Sequence, residues 1–403
     1  MDLIDLRKFD FDMFEVVSEN DSELIFQGIE LENGIYKSYV YIYYFTNKCV
    51  ERINKVGIET AECGLHDNCI LNNYLYTCLT KANSEGKEMY IYRISLTDGG
   101  IENLYCITKN AFVNILSDRY VLVNGNDYKI DKEHSDLEKE LKGEYDYAIL
   151  CDLEGKKEYK INDIRIASGI RDYFIPYSVD GSRYVVFEEA YMYDVELQEI
   201  FEKGIGKEDF YRNGYRESIN IISLSKFAES VKSGCNVIPF KEIHKTELNA
   251  WTRYFGMDDE NIYYRVMNFE TKIEQIFLVD KRNFEKRILK SVKSDTDSSS
   301  YSYYNLCHNI KNKEIYEIIV VNKNKYIIKG IYKNSYNIVL DDVRESFQGV
   351  VGDYIITEFW TEDDNGDNYK DFVKIKNTKD NSVSIYEGTC TIIKDKLVLF
   401  KYL

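Results

Sequence analysis

Four oxygen-bearing side chains recur in the run Asp363-Asp364-Asn365-Gly366-Asp367-Asn368-Tyr369-Lys370-Asp371, with Asp363, Asn365, Asp367 and Asp371 at positions 1, 3, 5 and 9. Oxygens at that spacing wrap a hard cation, so calcium is the cofactor this loop would take, and no other cofactor is expected. A solvated hairpin with Asn365-Gly366 in a type I′ turn fits the same residues. A second set is suited to recognition: Arg171, Asp172, Trp251, Arg253, Tyr254, Tyr301, Tyr303, Arg344 and Phe347 all fall where inner strands begin. Tryptophan, tyrosine and arginine carry most of the energy at protein interfaces, and guanidinium forks match carboxylates and other anions. The competing reading is ordinary core for the aromatics and local ion pairs for the arginines.

Nucleophile and transition-metal chemistry have weaker support. The four histidines, His66, His134, His244 and His308, lie in separate segments with no consistent carboxylate beside them, so isolated polar contacts are expected rather than a metal ring. No Gly-x-Ser-x-Gly elbow occurs. Ser223-Leu224-Ser225-Lys226 spells Ser-x-x-Lys but lacks companion motifs and sits at an expected helix start. No catalytic residue is assigned.

These residues must be positioned by repeated strands. Apolar-aromatic strands following a polar turn recur with anchors at Leu24, Leu75, Tyr120, Tyr184, Ile262, Ile315, Tyr354 and Leu397, at intervals of 51, 45, 64, 78, 53, 39 and 43 residues. A period of roughly 40–50 residues with several strands in each predicts a β-propeller of four-stranded antiparallel blades. The last repeat has two strands only, Thr391–Ile393 and Leu397–Tyr402, and residues 2–9 can supply a third. Eight blades closed by both termini are expected, with seven as the alternative, in one domain spanning 1–403. Insertions interrupt the pattern at 124–146, with an acidic helix expected at Ser135–Leu141, at 190–217, and at 224–234, where Ser225 is expected to cap a helix that ends near Gly234. The first two join second to third strands of adjacent repeats and so emerge on one face.

Composition narrows the partners. A net charge of −17 repels phosphate backbones and anionic lipid, so neither nucleic acid nor membrane is expected. The start, Met1-Asp2-Leu3-Ile4-Asp5, has no apolar leader character, and no apolar run reaches the roughly 18 residues a membrane helix needs. Nine scattered cysteines, an odd number without a Cys-x-x-Cys pair, fit reduced thiols in a cytoplasmic setting.

Asp180-Gly181-Ser182-Arg183-Tyr184-Val185-Val186-Phe187 resembles the repeat of TolB-type and prolyl-oligopeptidase-type propellers, where Asp-Gly turns precede a β-rich strand. The eight-fold rhythm resembles those families throughout, but this repeat alone carries the motif well. WD-repeat propellers share the architecture, although the Gly-His and Trp-Asp signatures are missing. The Asp363–Asp371 run resembles calcium loops of integrin-type propellers, with Asn368 in place of their glycine. The resemblance implies architecture, and such folds host many functions. The expectation is an interaction or ligand-recognition scaffold, binding a protein, peptide or small anion through the face carrying 124–146 and 190–217. The alternatives are a small-molecule lyase or hydrolase at the channel mouth, and a sensory or accessory subunit of a larger assembly.

Overall fold

The structure, a computed structural model, describes residues 1–403 except 10–13, 20–21, 61–65, 84–85, 108–110, 127–145, 168–169, 193–214, 247–249, 269, 294–300, 308–313, 323–324, 332–334, 340–343, 363–368, 394 and 401–403. It is built almost wholly of antiparallel sheet. After β1 (Asp2–Asp5), one sheet contains β2 (Phe14–Glu19), β3 (Glu23–Glu32), β4 (Ile35–Tyr44) and β5 (Cys49–Arg52), with β6 (Ile58–Glu59) also on β4. The next comprises β7 (His66–Leu71), β8 (Tyr74–Asn83), β9 (Gly86–Ser95) and β10 (Ile101–Ile107). It is followed by β11 (Ala111–Ile115), β12 (Tyr120–Asn126), β13 (Asp146–Asp152) and β14 (Lys157–Lys160).

A short helix, α1 (Ile164–Ala167), leads into β15 (Ile170–Val179), β16 (Ser182–Met192) and β17 (Tyr215–Ser223). Helix α2 (Leu224–Lys232) precedes β18 (Lys241–Lys245), which completes that sheet. Then come β19 (Ala250–Met257), β20 (Asn261–Asn268), β21 (Ile273–Asp280) and β22 (Lys286–Lys293). Two further sheets hold β23 (Tyr301–Cys307), β24 (Glu314–Asn322), β25 (Lys325–Gly330) and β26 (Ser335–Val339), and β27 (Glu345–Val351), β28 (Tyr354–Glu362), β29 (Tyr369–Asn377) and β30 (Val383–Glu387). The final sheet takes β31 (Thr389–Ile393) and β32 (Lys396–Phe400) from the C-terminal end and β1 from the N-terminal end, with β1 parallel to β32.

All but the final sheet are antiparallel meanders, the blade unit of a β-propeller, as the repeat rhythm predicts. Tight turns set the registers. Asn33-Gly34 and Asp180-Gly181 take positive φ at both residues (54° and 81°, 49° and 76°), the type I′ geometry that suits twisted two-residue hairpins. The Asp-Gly motif is thus the hairpin turn joining β15 to β16.

The chain sorts into two compact units, Leu65–Ser294, and Met1–Gly64 with Asp295–Leu403. Within the first, apolar faces of successive sheets meet in three layers. Ile91 and Val121 belong to one, Leu150, Phe174, Phe187 and Phe227 to the second, and Val186, Ile221, Ile262 and Tyr264 to the third. Within the other unit, Leu24, Phe26 and Val398 form one layer, Ile318, Ile328 and Phe347 another, and Ile356, Val373 and Leu397 a third. Alternation along each strand supplies both of its faces.

Helix α2 begins earlier than the sequence suggests. Leu224, Phe227, Ala228 and Val231 form its buried stripe, so Leu224 must already be helical, and Ser223 rather than Ser225 occupies the N-cap position in an extended conformation without a side-chain cap bond. Gly234 follows with φ 74°, as expected of a helix end. Lys232 fastens the helix to the neighbouring sheet, donating to Asp152 Oδ2 at 2.7 Å and Tyr120 Oη at 2.8 Å. Burial raises the Asp152 carboxyl, but Arg119 and Lys232 together hold it well below the usual carboxylate range. The segment Ser135–Leu141 lies outside the described residues.

Candidate functional site

The richest polar geometry surrounds β19, the first strand of its sheet, in the unit Leu65–Ser294. Pairing with β20 uses only one edge of this strand, so its other edge carries amides that need acceptors. Two glutamates of the preceding sheet supply them. The Thr252 N–H donates to Glu217 Oε2 at 2.6 Å, and the Tyr254 N–H donates to Glu188 Oε1. Glu217 is itself anchored: its N–H donates to Thr246 Oγ1 at 2.9 Å, and the Thr246 hydroxyl donates to its carbonyl at 3.0 Å. In the other unit Glu358 does the same for β31, accepting the Cys390 N–H at 2.6 Å and the Thr389 hydroxyl. Carboxylate-to-amide bonds of this kind are charge-assisted and stronger than neutral ones.

On this braced strand sit Trp251 and Arg253. Arg253 Nη1 donates to Glu217 Oε1 at 2.7 Å and to the Thr252 carbonyl at 3.1 Å. Its side chain keeps 35% exposure, and its Nε and Nη2 have no partner among the described residues. Trp251 is half-buried, with the Arg265 guanidinium 4.9 Å from its ring centroid. Glu274, 3.6 Å from Arg265, holds that second guanidinium in place. The result is an aromatic plate beside a half-satisfied cation, an arrangement that can receive a carboxylate or another anion with an apolar neighbour.

A different polar cluster occupies the opposite face of β16 and β17. Glu189, Ser218 and Asn220 are all buried, with Asn220 Nδ2 2.9 Å from Glu189 Oε2 and 2.8 Å from Ser218 Oγ. Glu189 Oε1 and Asn220 Oδ1 have no hydrogen-bond partner among the described residues. Burial pushes the Glu189 carboxyl up to about 8, and the negative charges of Asp163 and Glu242 reinforce this while Arg165 opposes it. The side chain therefore holds its proton at neutral pH. These residues root the strands that lead into the 190–217 insertion, whose residues 193–214 lie outside the described set.

The other expected site residues separate into several places. Tyr254 is core, 9% exposed, packed with Ile262 and Phe277. Arg344 and Phe347 belong to the other unit: the Arg344 guanidinium lies 5.6 Å from the Trp360 ring centroid, and Phe347 is buried beside Ile318 and Val350. Arg171 lies in β15 and Tyr301 in β23, with their side chains outside the described set. Of the calcium loop, Asp371 is an exposed residue of β29, whereas Asp363, Asn365 and Asp367 lie outside the described residues. No group of three or more metal-ligating side chains occurs among the described residues. His244 is enclosed by the rings of Tyr264 and Phe277, 5.2 and 5.5 Å away, and burial pushes its imidazole down to about 4. His66 begins β7, its side chain outside the described set, while His134 and His308 lie outside it or are undescribed in their side chains.

Sequence reasoning missed two partners, Glu217 and Glu188, which brace β19. The sequence around the two glutamates gave no signal of this role.

No protein-family model and no curated protein matches the chain. Among solved structures, a chain from a structural and mechanistic study of two prolyl endopeptidases matches with a TM-score of 0.51 at 10% identity, over 94% of this chain and 50% of that one. The β-propeller domain of the trilobed protease from Pyrococcus furiosus gives 0.43 at 12% identity, over 93% and 99% of the two chains. TolB from Acinetobacter baumannii gives 0.31 at 11% identity, over 93% and 82%. The chain spans about half the length of the prolyl endopeptidase chain it matches. At such identities the likeness is one of fold, and the fold of this chain is the β-propeller.

Proposed function

We propose that the chain is a recognition module that binds a protein, a peptide or a small anion through the face bearing the 124–146 and 190–217 insertions. One observation carries this reading: Arg253, braced through Glu217, keeps two guanidinium nitrogens without partners among the described residues, beside the half-buried Trp251. An arginine paired on one side only is prepared for a second acceptor, and the bracing lowers the cost of ordering it. Peptides ending in a free carboxylate fit this site best. A cytoplasmic setting is supported by the seven described cysteines, all free thiols. No helix among the described residues is long and apolar enough to cross a membrane. Eight sheets among the described residues, one of them holding β1 beside β32, support a count of eight blades.

The test compares intact protein, Arg253→Ala and a form in which a short Gly-Ser linker replaces residues 193–214 in affinity capture and in titration with a tetrapeptide pool, free-acid and amidated. Loss of partners in both variants, with free-acid peptides preferred at least about tenfold, is expected. Equal recovery of every partner by all three proteins sinks the reading.

An enzymatic alternative draws on Glu189, whose retained proton near neutral pH is a property of acid catalysts. Glu189 is 0% exposed, which weighs toward recognition. Calcium at Asp363–Asp371 remains a proposal that calcium titration by calorimetry decides.

A further inference from the structure

Among the described residues, strand β30 forms the outer edge of its sheet, paired with β29 on one side only. Outer strands expose unpaired backbone groups, and proteins ordinarily guard them with lysines, bulges or shortness. Most outer strands of this chain show such guards. β14 carries Lys157 and Lys160, β18 carries Lys241 and Lys245, and β22 carries Lys286, Lys290 and Lys293. Register shifts interrupt the pairing of β10, β18 and β22, and β5 is four residues long with Glu51 and Arg52. The sequence of β30, Val383-Ser384-Ile385-Tyr386-Glu387, has no lysine, and its register runs unbroken.

The alternation of hydrogen bonds shows which groups are unmet. The Asn377 N–H donates to the Ser382 carbonyl at 2.9 Å, and the Gly388 N–H to the Asp371 carbonyl at 2.7 Å. Ser384 and Tyr386 therefore point their backbone groups toward β29, while Val383 and Ile385 point theirs outward. The side chains of these two outward residues are also exposed, 49% for Val383 and 55% for Ile385. Arg7 closes one end of the edge, its Nη1 donating to the Glu387 carbonyl at 2.9 Å. Beside Val383, across the pair with β29, Lys376 is exposed and forms no ion pair among the described residues. The corresponding Lys374 is held by Glu345 at 3.1 Å.

We propose that β30 is a docking edge for an extended segment of a partner polypeptide, added as a further strand. The segment is apolar at two alternate positions and carries an acidic residue on the Lys376 side. The outward N–H and C=O groups of Val383 and Ile385 supply a short ladder, their side chains supply cross-strand apolar contact, and Lys376 supplies the charge complement. A second copy of this acidic chain is the less favoured occupant, since both copies carry net charge −17 and repel each other.

The probe is a fluorescein-labelled peptide, Asp-Val-Thr-Val-Thr-Val-Asp, titrated by fluorescence anisotropy against the full chain. Saturable binding is expected, weakened at least about tenfold by Ile385→Lys, which restores the usual guard, and about threefold by Lys376→Glu. Both substitutions are at exposed positions, and unchanged thermal melting confirms that they fold. Hydrogen exchange should slow at the amides of Val383 and Ile385 when peptide is added. Equal binding of Asp-Val-Thr-Pro-Thr-Val-Asp, equal binding by Ile385→Lys, or protection at other amides overturns the proposal. So does a dimer on size exclusion that Ile385→Lys abolishes, because the edge then belongs to a second copy.

Discussion

Glu188 and Glu189 are adjacent on β16, and strand alternation sends them to opposite faces with opposite fates. The Glu188 carboxylate reaches the next sheet and accepts the Tyr254 N–H, across 66 residues of sequence. Glu189 remains within its own sheet, bonded to Ser218 and Asn220 through one oxygen, while the other finds no partner. Both are nearly inaccessible, at 3% and 0%. The same chemical group thus serves as a brace on one face and as a buried, protonated acid on the other. What decides between them is the partner: an unpaired strand edge stabilises a carboxylate, whereas a pocket of neutral amide and hydroxyl groups near other acids does not.

The largest expected effect comes from breaking the brace. Glu188→Ala removes the carboxylate that accepts the buried Tyr254 N–H and should lower unfolding stability by about 3 kcal/mol. Glu189→Gln replaces a neutral acid by a neutral amide of the same shape and should change stability near pH 4.5, where the glutamic acid has lost none of its contribution, by less than about 1 kcal/mol. Urea unfolding of the two variants beside the parent measures both. If Glu189→Gln proves as costly as Glu188→Ala, the contrast between the faces is wrong.

The pH dependence sharpens the same contrast. Glu189 is raised from 4.5 to about 8, so the folded protein holds a proton that the unfolded chain releases. Its contribution is fully present below about 4.5 and is lost as pH rises through about 8, with a slope of at most about 1.4 kcal/mol per pH unit. His244 works from the acid side. Lowered from 6.5 to about 4, it contributes stability above about 6.5 that is lost as pH falls through about 4. Urea midpoints from pH 4 to 9 should fall at both ends; Glu189→Gln should flatten the alkaline limb alone, and His244→Phe the acid limb alone. An unchanged alkaline limb in Glu189→Gln means that Glu189 ionises normally in the folded state.

Much of the fold was legible because it is written locally. The apolar alternation around Tyr184 and Ile262, the Asp180-Gly181 turn and the stripe of α2 each lie within a dozen residues. The third strand from the N-terminus was legible too, since a two-stranded last repeat demands one. The site was less legible, for a physical reason. Trp251 and Arg253 are readable as residues entering an inner strand, but what fixes them is Glu217, 36 residues away from Arg253. A glutamate in a strand reads as a surface residue until the next sheet is placed against it. Tyr254 and Phe347 were misplaced for the converse reason: one step along a strand exchanges the solvent face for the core, and their parity became visible only with the registers.

The smallest expected stability effect bears most on function. Arg253→Lys retains a cation for Glu217, whose second oxygen still holds the Thr252 amide, so the melting temperature should move by no more than about 2 °C. An ammonium lacks the planar fork, however, and cannot contact Glu217 and a second carboxylate with parallel N–H pairs. Binding of free-acid peptides should therefore fall about tenfold or more in a protein that folds normally, with on-rates little changed and dissociation faster. If the lysine form binds as tightly as the parent, charge alone suffices and the unpartnered nitrogens of Arg253 are incidental. If it binds normally but melts far lower, Arg253 belongs with Glu188 as part of the brace, and the recognition surface must lie elsewhere on the unit.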